Sequence, residues 1–581
     1  MTNREIAEAR ANEIDQKIIE TVQSGKSFRV EAGAGAGKTF SLERVIEWLD
    51  KEKTTCFKRN GQNVACITYT NAAVEVIKKR LSSNSFIKPS TIHTFAWDLI
   101  KQFQSSLITV VGELQLLPQK SDGSGILIDI NEVKQVSYSL GTRYIDDGIL
   151  YLYHDDVIKL FVSFLDKPKF RLILSKKYPI VLIDEYQDSF KVIIDQFMKY
   201  FVEKDTGPQF GLFGDSWQTI YASQGACGIV DNNKLVVINK EANFRSQEVI
   251  VNALNKIRPE LPQITASDDT DGSITIITTE EFSCRIQKGY YKGELEDTVL
   301  FSCINNVIGV LNKMWNGSTK RLMLTHKLLA KQQGYSHVLD LLGDHLKNKE
   351  DEHFLFFQNK VEPIFEALQT NDPKKLFEVL NVERKPIESK DNKRQWRELK
   401  DQLSIARQGT IQDVLKVIVA YKMLIGIPPK VEYWLNESEK PEQDQILYGD
   451  KPVTSLYSTQ YIEMLKAIDF FKPEAEFSTN HGVKGEQYDN VFLVIGRGWN
   501  DYKFDEQLYL DPTQLDENAR KAYIRNRNLF YVCCSRPRKN LAILITVPIN
   551  RQFRSYLERV FGSECILPYS QFMSLGMAKE N

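Results

Sequence analysis

The stretch AGAGAGKT, residues 32–39, limits the folds open to this chain more than any other feature of its sequence. A short apolar segment at 28–30 precedes it, and an amphipathic helical pattern follows it. A strand, a loop of small residues and a helix, in this order, are the setting in which backbone N–H groups bind a phosphate chain. The sequence therefore predicts an α/β fold with a nucleotide at the end of its first strand.

The residues of this loop have separate predicted roles in binding ATP. The predicted ATP-binding positions of the loop are Ala32, Gly33, Ala34, Gly35, Ala36, Gly37, Lys38 and Thr39. The three glycines let the backbone close around the phosphates. We expect Lys38 to bridge the β- and γ-phosphates and Thr39 to hold Mg²⁺ through its hydroxyl. Ala32 stands where the general motif prefers glycine.

A second acidic segment, YPIVLIDEYQDSF at 178–190, supplies the carboxylates that such an enzyme needs. An apolar strand at 180–183 ends in Asp184 and Glu185. We expect Asp184 to hold Mg²⁺ through a water molecule and Glu185 to orient and deprotonate the attacking water. A solvated acidic turn is the alternative, but an apolar strand leading directly into the pair argues against it. Both segments follow strands, so they are predicted to meet in one nucleotide cleft.

The blocks that follow the acidic pair occur in a characteristic order. They are DEYQD at 184–188, LFGDSWQTIY at 212–221, NFRS at 243–246, STNHGVKGEQYDNVF at 478–492 and NLFYVCCSRPRK at 528–539. Together with the phosphate loop, this series resembles the superfamily 1A helicases of the UvrD, Rep and PcrA type. The resemblance implies an ATP-dependent DNA helicase that moves 3′→5′ on single-stranded DNA.

The resemblance also implies the architecture. Family members have two RecA-like P-loop NTPase lobes, each a parallel sheet flanked by helices, with mainly helical inserted domains called 1B and 2B. The predicted boundaries are lobe 1A at 1–96 and 176–245, domain 1B at 97–175, lobe 2A at 246–335 and 471–581, and domain 2B at 336–470. Within 2B, the stretch 383–400 alternates basic residues with Trp396, and it fits either a contact to duplex DNA or a solvated helix face.

Three further residues correspond to catalytic positions of the family. Gln218 would sense the γ-phosphate, and Arg245 and Arg536 resemble the two arginine fingers. Since the fingers come from distant parts of the sequence, hydrolysis would depend on closure of the two lobes.

Three other residues correspond to positions that bind the nucleoside. Gln16, which lies 22 residues before Lys38, matches the Q motif that contacts adenine. Phe244 would stack on the adenine. Gln487 takes the place of a glutamate that binds the ribose, and its amide can still donate and accept hydrogen bonds.

The nucleic-acid side of the family is also represented. The residues predicted to bind DNA are Tyr69, Thr70, Asn71, Thr91, His93, Phe95, Tyr221, Thr479, His481 and Lys484. Hydroxyls and amides would position phosphates while aromatic rings stack on bases, so the predicted partner is single-stranded or tailed duplex DNA. Phe95 fits a core position equally well.

The chain departs from the family pattern in the third motif. Ser223 and Gln224 replace the tryptophan and arginine of the usual sequence. Losing a base-stacking ring removes on the order of 1–3 kcal/mol of affinity per base. Weak unwinding is therefore expected of this chain alone.

This departure and the small inserted domains support a rival interpretation. The build resembles the helicase-like subunit of the Gabija anti-phage system, which implies a DNA- or nucleotide-sensing ATPase that serves an OLD-family ATPase–nuclease partner.

Charge and hydropathy set wider limits. Lys and Arg number 75 against 76 Asp and Glu, which excludes a uniformly basic binder but allows a local basic channel. The charged N-terminus has no apolar segment typical of a secretory signal, and no apolar run is long enough to span a bilayer. We therefore expect a cytoplasmic protein without a membrane partner.

Overall fold

The computed structural model describes most of the chain. The described residues are 1–68, 70–82, 85–117, 129–138, 143–220, 225–289, 291–323, 325–347, 351–380, 390–440, 447–448, 451–472, 474–496 and 502–577. Two six-stranded sheets organise them, and each sheet is made of parallel pairs throughout.

The first half of the chain builds one sheet and its insert. It begins with α1 (Asn3–Gln23), β1 (Phe28–Ala32), α2 (Lys38–Arg59), β2 (Val64–Thr68), α3 (Asn71–Arg80) and β3 (Ile87–Thr91). The insert contains α4 (Ile92–Ile100), α5 (Gln104–Glu113), β4 (Gln135–Tyr138), β5 (Tyr144–Asp146), β6 (Ile149–Leu152), α6 (His154–Leu165) and α7 (Pro168–Lys177). The sheet resumes with β7 (Ile180–Asp184), α8 (Lys191–Phe197), β8 (Gln209–Gly214) and β9 (Val236–Lys240). The next strand, β10 (Ala242–Asn243), belongs to a separate two-stranded sheet.

The second half repeats this plan. It begins with α9 (Glu248–Ile257), β11 (Ile264–Thr265), β12 (Ser273–Thr278), α10 (Asp297–Met314), β13 (Thr319–Met323) and α11 (His326–Gln333). The insert contains α12 (Ser336–Lys347), α13 (Glu352–Phe356), α14 (Glu362–Thr370), α15 (Pro373–Leu380), α16 (Lys390–Ala406), α17 (Ile411–Ala420), α18 (Lys422–Ile425), α19 (Pro429–Ser438), β14 (Leu447–Tyr448), β15 (Lys451–Pro452), α20 (Val453–Tyr457) and α21 (Tyr461–Phe470). The sheet closes with β16 (Phe477–Thr479), β17 (Tyr488–Ile495), α22 (Phe504–Gln507), α23 (Glu517–Cys534), β18 (Pro537–Ile545), α24 (Arg551–Phe561), β19 (Ile566–Pro568) and α25 (Tyr569–Met577).

The strand orders explain where functional residues can meet. The first sheet runs β3-β2-β7-β8-β1-β9 and the second runs β16-β13-β17-β18-β12-β19. Strands β1, β2, β7 and β8 are buried along their whole length, as expected for parallel strands covered by helices on both faces. Since these strands are parallel, the segments that follow them emerge at one edge of the sheet.

The predicted fold class is confirmed: the chain holds two parallel α/β sheets flanked by helices, with helical inserts. The first insert also contains a three-stranded sheet, β4-β6-β5, which its helical periodicity did not predict. Trp396 of the second insert is buried in its helical core, so its ring does not form a surface for duplex DNA. Residues 383–389 of the same basic stretch lie outside the described residues. Across the described part of the chain, every helix is too short or too polar to cross a bilayer.

Candidate nucleotide-binding site

The phosphate loop lies between β1 and α2, and its backbone requires glycine at two positions. Gly35 has a φ of 77° and Gly37 a φ of 74°, both in the left-handed region that side chains disfavour. A Cβ at Gly35 would also lie 2.7 Å from Asn243 Oδ1 and 2.8 Å from Arg245 Cβ. The loop is therefore closed on one side by the segment that carries Arg245.

Lys38 and the acidic pair meet at the mouth of this loop. Lys38 Nζ lies 2.9 Å from Glu185 Oε2, and Glu185 adopts a left-handed backbone conformation, with φ 48°. Burial opposes ionisation of Glu185, but the charges of Lys38 and Lys484 outweigh it and lower its pKa. Burial and the charge of Glu185 raise the pKa of Asp184. The two carboxyl groups thus differ, with Glu185 the ionised member that holds Lys38.

The motif around Gln218 is hydrogen-bonded to the acidic segment. Gln187 donates from Nε2 to Glu185 Oε2 at 2.5 Å and accepts from the Asp215 backbone N–H at 3.1 Å. Asp215 in turn accepts from Gln218 Nε2 at 2.7 Å. A continuous path therefore joins Glu185 to Gln218.

The two predicted arginine fingers lie beside this path, with Arg536 fully buried and Arg245 partly buried. Arg536 donates from Nη2 to Gln218 Oε1 at 3.3 Å, and Arg245 donates from Nη1 to the Ser535 carbonyl at 2.9 Å. Burial and the charge of Arg536 lower the pKa of Arg245 to about 9, and burial also lowers that of Arg536. Neither guanidinium forms an ion pair with a carboxylate among the described residues. Arg245 Nε is buried without a hydrogen-bond partner there. Two neighbouring cations of this kind, one buried and one partly buried, are chemically suited to an anion such as a phosphate.

The remaining predicted nucleotide contacts are exposed. The Phe244 ring is 46% exposed while its backbone N–H donates to the Gly35 carbonyl at 2.9 Å, so the ring projects next to the loop. Gln487 is exposed, and Gln16 lies on the exposed side of α1, where its amide donates to Glu20 at 3.1 Å. The adenine and ribose roles of these three residues stay predictions.

The predicted DNA contacts of the first sheet lie at its carboxyl edge. Thr70 and Thr91 cap α3 and α4 with their hydroxyls, and Asn71 is the exposed first residue of α3. The His93 ring lies beside that of His154, with 4.5 Å between centroids and the planes inclined at 55°, and its Nε2 is buried without a partner among the described residues. Tyr69 and Tyr221, like Ser223 and Gln224, lie outside the described residues.

Phe95 does not occupy the position expected of a base-stacking ring. It is 3% exposed and packs against Phe161 and Tyr178, with centroid distances of 6.0 and 5.4 Å. Since a stacking ring must present a free face, this location does not support the predicted DNA contact and gives Phe95 a core role.

The predicted DNA contacts of the second sheet follow β16. Thr479 is buried and its hydroxyl accepts from the Gly482 N–H at 3.1 Å. His481 lies 5.0 Å from the Tyr502 ring, and burial lowers the pKa of its imidazole to about 4. Lys484 forms an ion pair with Asp188 and donates to the Gln218 carbonyl at 2.5 Å. In this state its ammonium therefore joins the two sheets, and its predicted DNA contact stays a prediction.

Sequence reasoning missed two charged residues and one ring at this junction. Arg258 donates to both Glu31 and Asp215, and the Trp217 ring packs into the core of the second sheet with Tyr531 at 5.6 Å. The available signal was the strand FRVEA, in which Arg29 and Glu31 interrupt an otherwise apolar buried element. Charges are rarely buried in a central strand without partners.

Among the described residues, no separate metal-binding cluster accompanies the candidate nucleotide site. Clusters of three or more His, Cys, Asp or Glu able to bind an ion are absent from the residues that the structure describes.

The sequence is similar to an AAA domain family, to a Gabija protein and to DNA helicases. A model of the AAA domain family matches residues 15–224. The chain is 22% identical to the Gabija protein GajB of Bacillus cereus over 94% of its own length and 96% of that protein. It is 22% identical to a probable DNA helicase II homolog of Rickettsia felis, over 88% of the chain and 89% of that protein. It is 25% identical to the ATP-dependent DNA helicase Rep of Buchnera aphidicola, over 39% of the chain and 42% of that protein. With the motif series and the paired parallel sheets, these similarities support the resemblance to the superfamily 1 helicases of the UvrD/Rep type.

Proposed function

We propose that this chain is an ATP-dependent DNA helicase or translocase that moves 3′→5′ on single-stranded DNA. The observation that carries the proposal is the pair of arginines beside the phosphate loop: Arg536, which is fully buried, and Arg245, which is partly buried. Neither arginine has a carboxylate partner among the described residues. Arg536 directly precedes β18 of the second sheet, whereas Lys38 begins the helix that follows β1 of the first. A γ-phosphate bound by Lys38 and by the two arginines would contact residues from both halves of the molecule at the same time. Hydrolysis would therefore be linked to relative movement of the two sheets.

The residues present fit ATP with Mg²⁺. Thr39 is exposed at the start of α2, and Asp184 ends a strand at the same edge, so both oxygens are available near the loop. Bound Mg²⁺ would neutralise charge that develops on the phosphates. The loop glycines supply the backbone N–H groups, and Lys38 supplies the cation.

The first consequence of ATP binding would be an exchange of partners. Lys38 now bonds Glu185, so a phosphate that draws Lys38 away releases the carboxylate. Glu185 stays hydrogen-bonded to Gln187, which holds it near the loop, and it can then accept a proton from water. Arg245 and Arg536 would stabilise the negative charge that the phosphates carry in the transition state, as the γ-phosphoryl group passes to water and ADP leaves.

Release of the phosphate would then change the contacts of Gln218, because the Gln218 side chain accepts a hydrogen bond from Arg536 and its backbone carbonyl accepts one from Lys484. Lys484 belongs to the segment after β16 that is proposed to grip the strand. Lys484 therefore contacts the path that joins Glu185 to Gln218, and it also belongs to the segment that is proposed to bind DNA.

A second candidate function is a DNA- or nucleotide-sensing ATPase subunit of a Gabija-like anti-phage complex, with weak unwinding of its own. The observation that favours it is similarity to a Gabija protein over nearly the full length of both chains. The proposed partner in that case is an OLD-family ATPase–nuclease.

The test is ATP hydrolysis by the purified chain with and without single-stranded DNA, using Lys38→Ala as the blank. Strong stimulation by DNA, lost in Lys38→Ala, supports the motor. A basal rate that depends on Lys38 but not on DNA, and that rises when an OLD-family nuclease is added, supports the second candidate. Turnover retained in Lys38→Ala would remove the phosphate-loop assignment and both proposals with it. Displacement of strands from 3′-tailed against 5′-tailed duplexes tests the direction.

A further inference from the structure

Glu31 and Arg258 lie at the centre of a buried polar cluster that joins the two sheets. Their side chains are 8% and 3% exposed, and Arg258 Nη2 lies 2.7 Å from Glu31 Oε1. Glu31 belongs to β1, which runs directly into the phosphate loop, whereas Arg258 follows α9, which packs on the second sheet. The pair therefore connects the strand that carries the loop to the other half of the molecule.

Arg258 uses its two terminal nitrogens for two different carboxylates. Nη1 lies 2.6 Å from Asp215 Oδ1, and Nη2 binds Glu31. Its guanidinium also lies over the Trp217 and Tyr531 rings, at 5.3 and 5.7 Å from their centroids. A planar fork can bridge two acceptors in this way, whereas the single ammonium of lysine cannot match it.

The Asp215 end of this bridge leads to the catalytic path. Asp215 binds Arg258 with Oδ1 and accepts from Gln218 Nε2 with Oδ2 at 2.7 Å. Gln218 then presents Oε1 to Arg536. The orientation of the Gln218 amide therefore depends on a carboxylate whose other oxygen is fixed by Arg258.

The Glu31 end fixes the neighbouring residues of the same motif. Glu31 Oε1 accepts from the Ser216 N–H at 2.9 Å and from its hydroxyl at 2.7 Å, and Oε2 accepts from the Tyr186 hydroxyl at 2.9 Å. Ser216 precedes Gln218 by two residues, and Tyr186 follows the acidic pair. One carboxylate thus ties together the loop strand, the acidic segment and the Gln218 motif.

We propose that Arg258 and Glu31 are positioning residues for ATP hydrolysis, which align Gln218 and the Arg536 finger when the two sheets come together. The inference rests on the proposed ATPase function. Neither residue contacts the loop that binds the phosphates through a hydrogen bond of its own side chain in the described structure, so their loss should affect the rate of the chemical step rather than ATP affinity.

The test compares Arg258→Lys and Glu31→Gln with a matched control, Arg407→Lys. Arg407 also binds a carboxylate through two nitrogens, at 3.1 and 2.6 Å from Glu362, but it lies in the second insert. We expect kcat for ATP to fall roughly tenfold to a hundredfold in both site variants, with KM within about twofold of wild type. Arg407→Lys should keep the wild-type kcat. The double variant should lose no more than the worse single variant, because both residues act through one alignment.

A purely structural role would give a different result. If the variants lose thermal stability but hydrolyse ATP at the wild-type kcat per folded molecule, the inference is wrong. The folded fraction is measured by circular dichroism, and Glu31→Gln, which keeps an acceptor oxygen, provides the test if Arg258→Lys does not fold. Wild-type and Arg407→Lys proteins that show no Lys38-dependent hydrolysis, with DNA or an added nuclease partner, would overturn the proposed function itself and the inference with it.

Discussion

Replacing Glu185 by glutamine should slow ATP hydrolysis and also tighten ATP binding. The second effect follows from the ion pair between Lys38 and Glu185, in which Nζ and Oε2 are 2.9 Å apart. ATP must break this contact to reach the lysine. Glu185→Gln replaces a charged acceptor by a neutral one, so Lys38 is released more easily to the phosphates.

The size of the effect can be worked from the geometry. A hydrogen bond to a charged group contributes about 1.5–3 kcal/mol to stability. The Glu185 side chain is 29% exposed and glutamine keeps an acceptor oxygen, so about 1 kcal/mol is the part that is lost. This corresponds to roughly fivefold tighter ATP binding, since about 1.4 kcal/mol is a factor of ten. Hydrolysis should fall by roughly a hundredfold or more when the base is removed.

Binding is measured by titration with a fluorescent ATP analogue, and hydrolysis by phosphate release. The matched control is Glu75→Gln, which makes the same change in charge at an exposed pair with Lys78 on the same half of the chain. This control should bind and hydrolyse ATP as the wild type does. Slow hydrolysis with unchanged or weaker ATP binding in Glu185→Gln would refute the idea that Glu185 competes with the nucleotide for Lys38.

Three other predictions concern separate parts of the molecule. Lys240→Met should lower the free energy of unfolding in urea by about 1.5–3 kcal/mol, because the buried Asp15 loses the ammonium at 3.0 Å and keeps only the Ser41 hydroxyl at 2.5 Å and Arg44 at 3.6 Å. Lys234→Met breaks an exposed pair and should cost at most about 1 kcal/mol. Burial lowers the pKa of His353 to about 4, so the unfolded chain binds a proton at this residue more readily than the folded chain does. The free energy of unfolding should therefore be unaffected by this residue above roughly pH 6.5 and should be about 2 kcal/mol lower at about pH 5. In urea unfolding, His353→Gln should reduce this dependence of stability on pH. Phe244→Ala should raise the KM for ATP about fivefold without loss of thermal stability, since its ring is 46% exposed, and an unchanged KM would remove its predicted stacking on adenine.

Local patterns predicted the strands that carry the phosphate loop and the acidic pair, and the family resemblance predicted the two sheets and the grouping of the other candidate catalytic residues. The pattern of strand, glycine-rich loop and helix at residues 28–59 specifies how these three elements are placed relative to one another. The apolar strand before Asp184 must end at the same edge of a parallel sheet. Arg536 is brought to Gln218 by the second sheet, and the motif order was enough to predict that approach.

Side-chain environments were harder to predict, since they depend on residues distant in sequence. Phe95 could be placed on a helix after β3, but only the packing of Phe161 and Tyr178 from the insert determines that its ring is buried. Arg258 carries no motif of its own, and its two partners are 227 and 43 residues away in the sequence. Periodicity describes one element at a time, whereas these contacts join separate elements.

The buried ion pairs between the two sheets disfavour a partial separation of the sheets. Lys484 pairs with Asp188 and Arg258 with Glu31 and Asp215, and most of these side chains are nearly fully buried. Removing one partner from such a pair costs about 3–5 kcal/mol, so an intermediate opening that leaves a carboxylate alone is strongly disfavoured. Each pair must therefore be either made or replaced by contacts with another ligand. A phosphate that replaces Glu185 at Lys38 meets that condition, because Lys38 gains a new partner while Glu185 keeps its hydrogen bond from Gln187 and the nearby charge of Lys484.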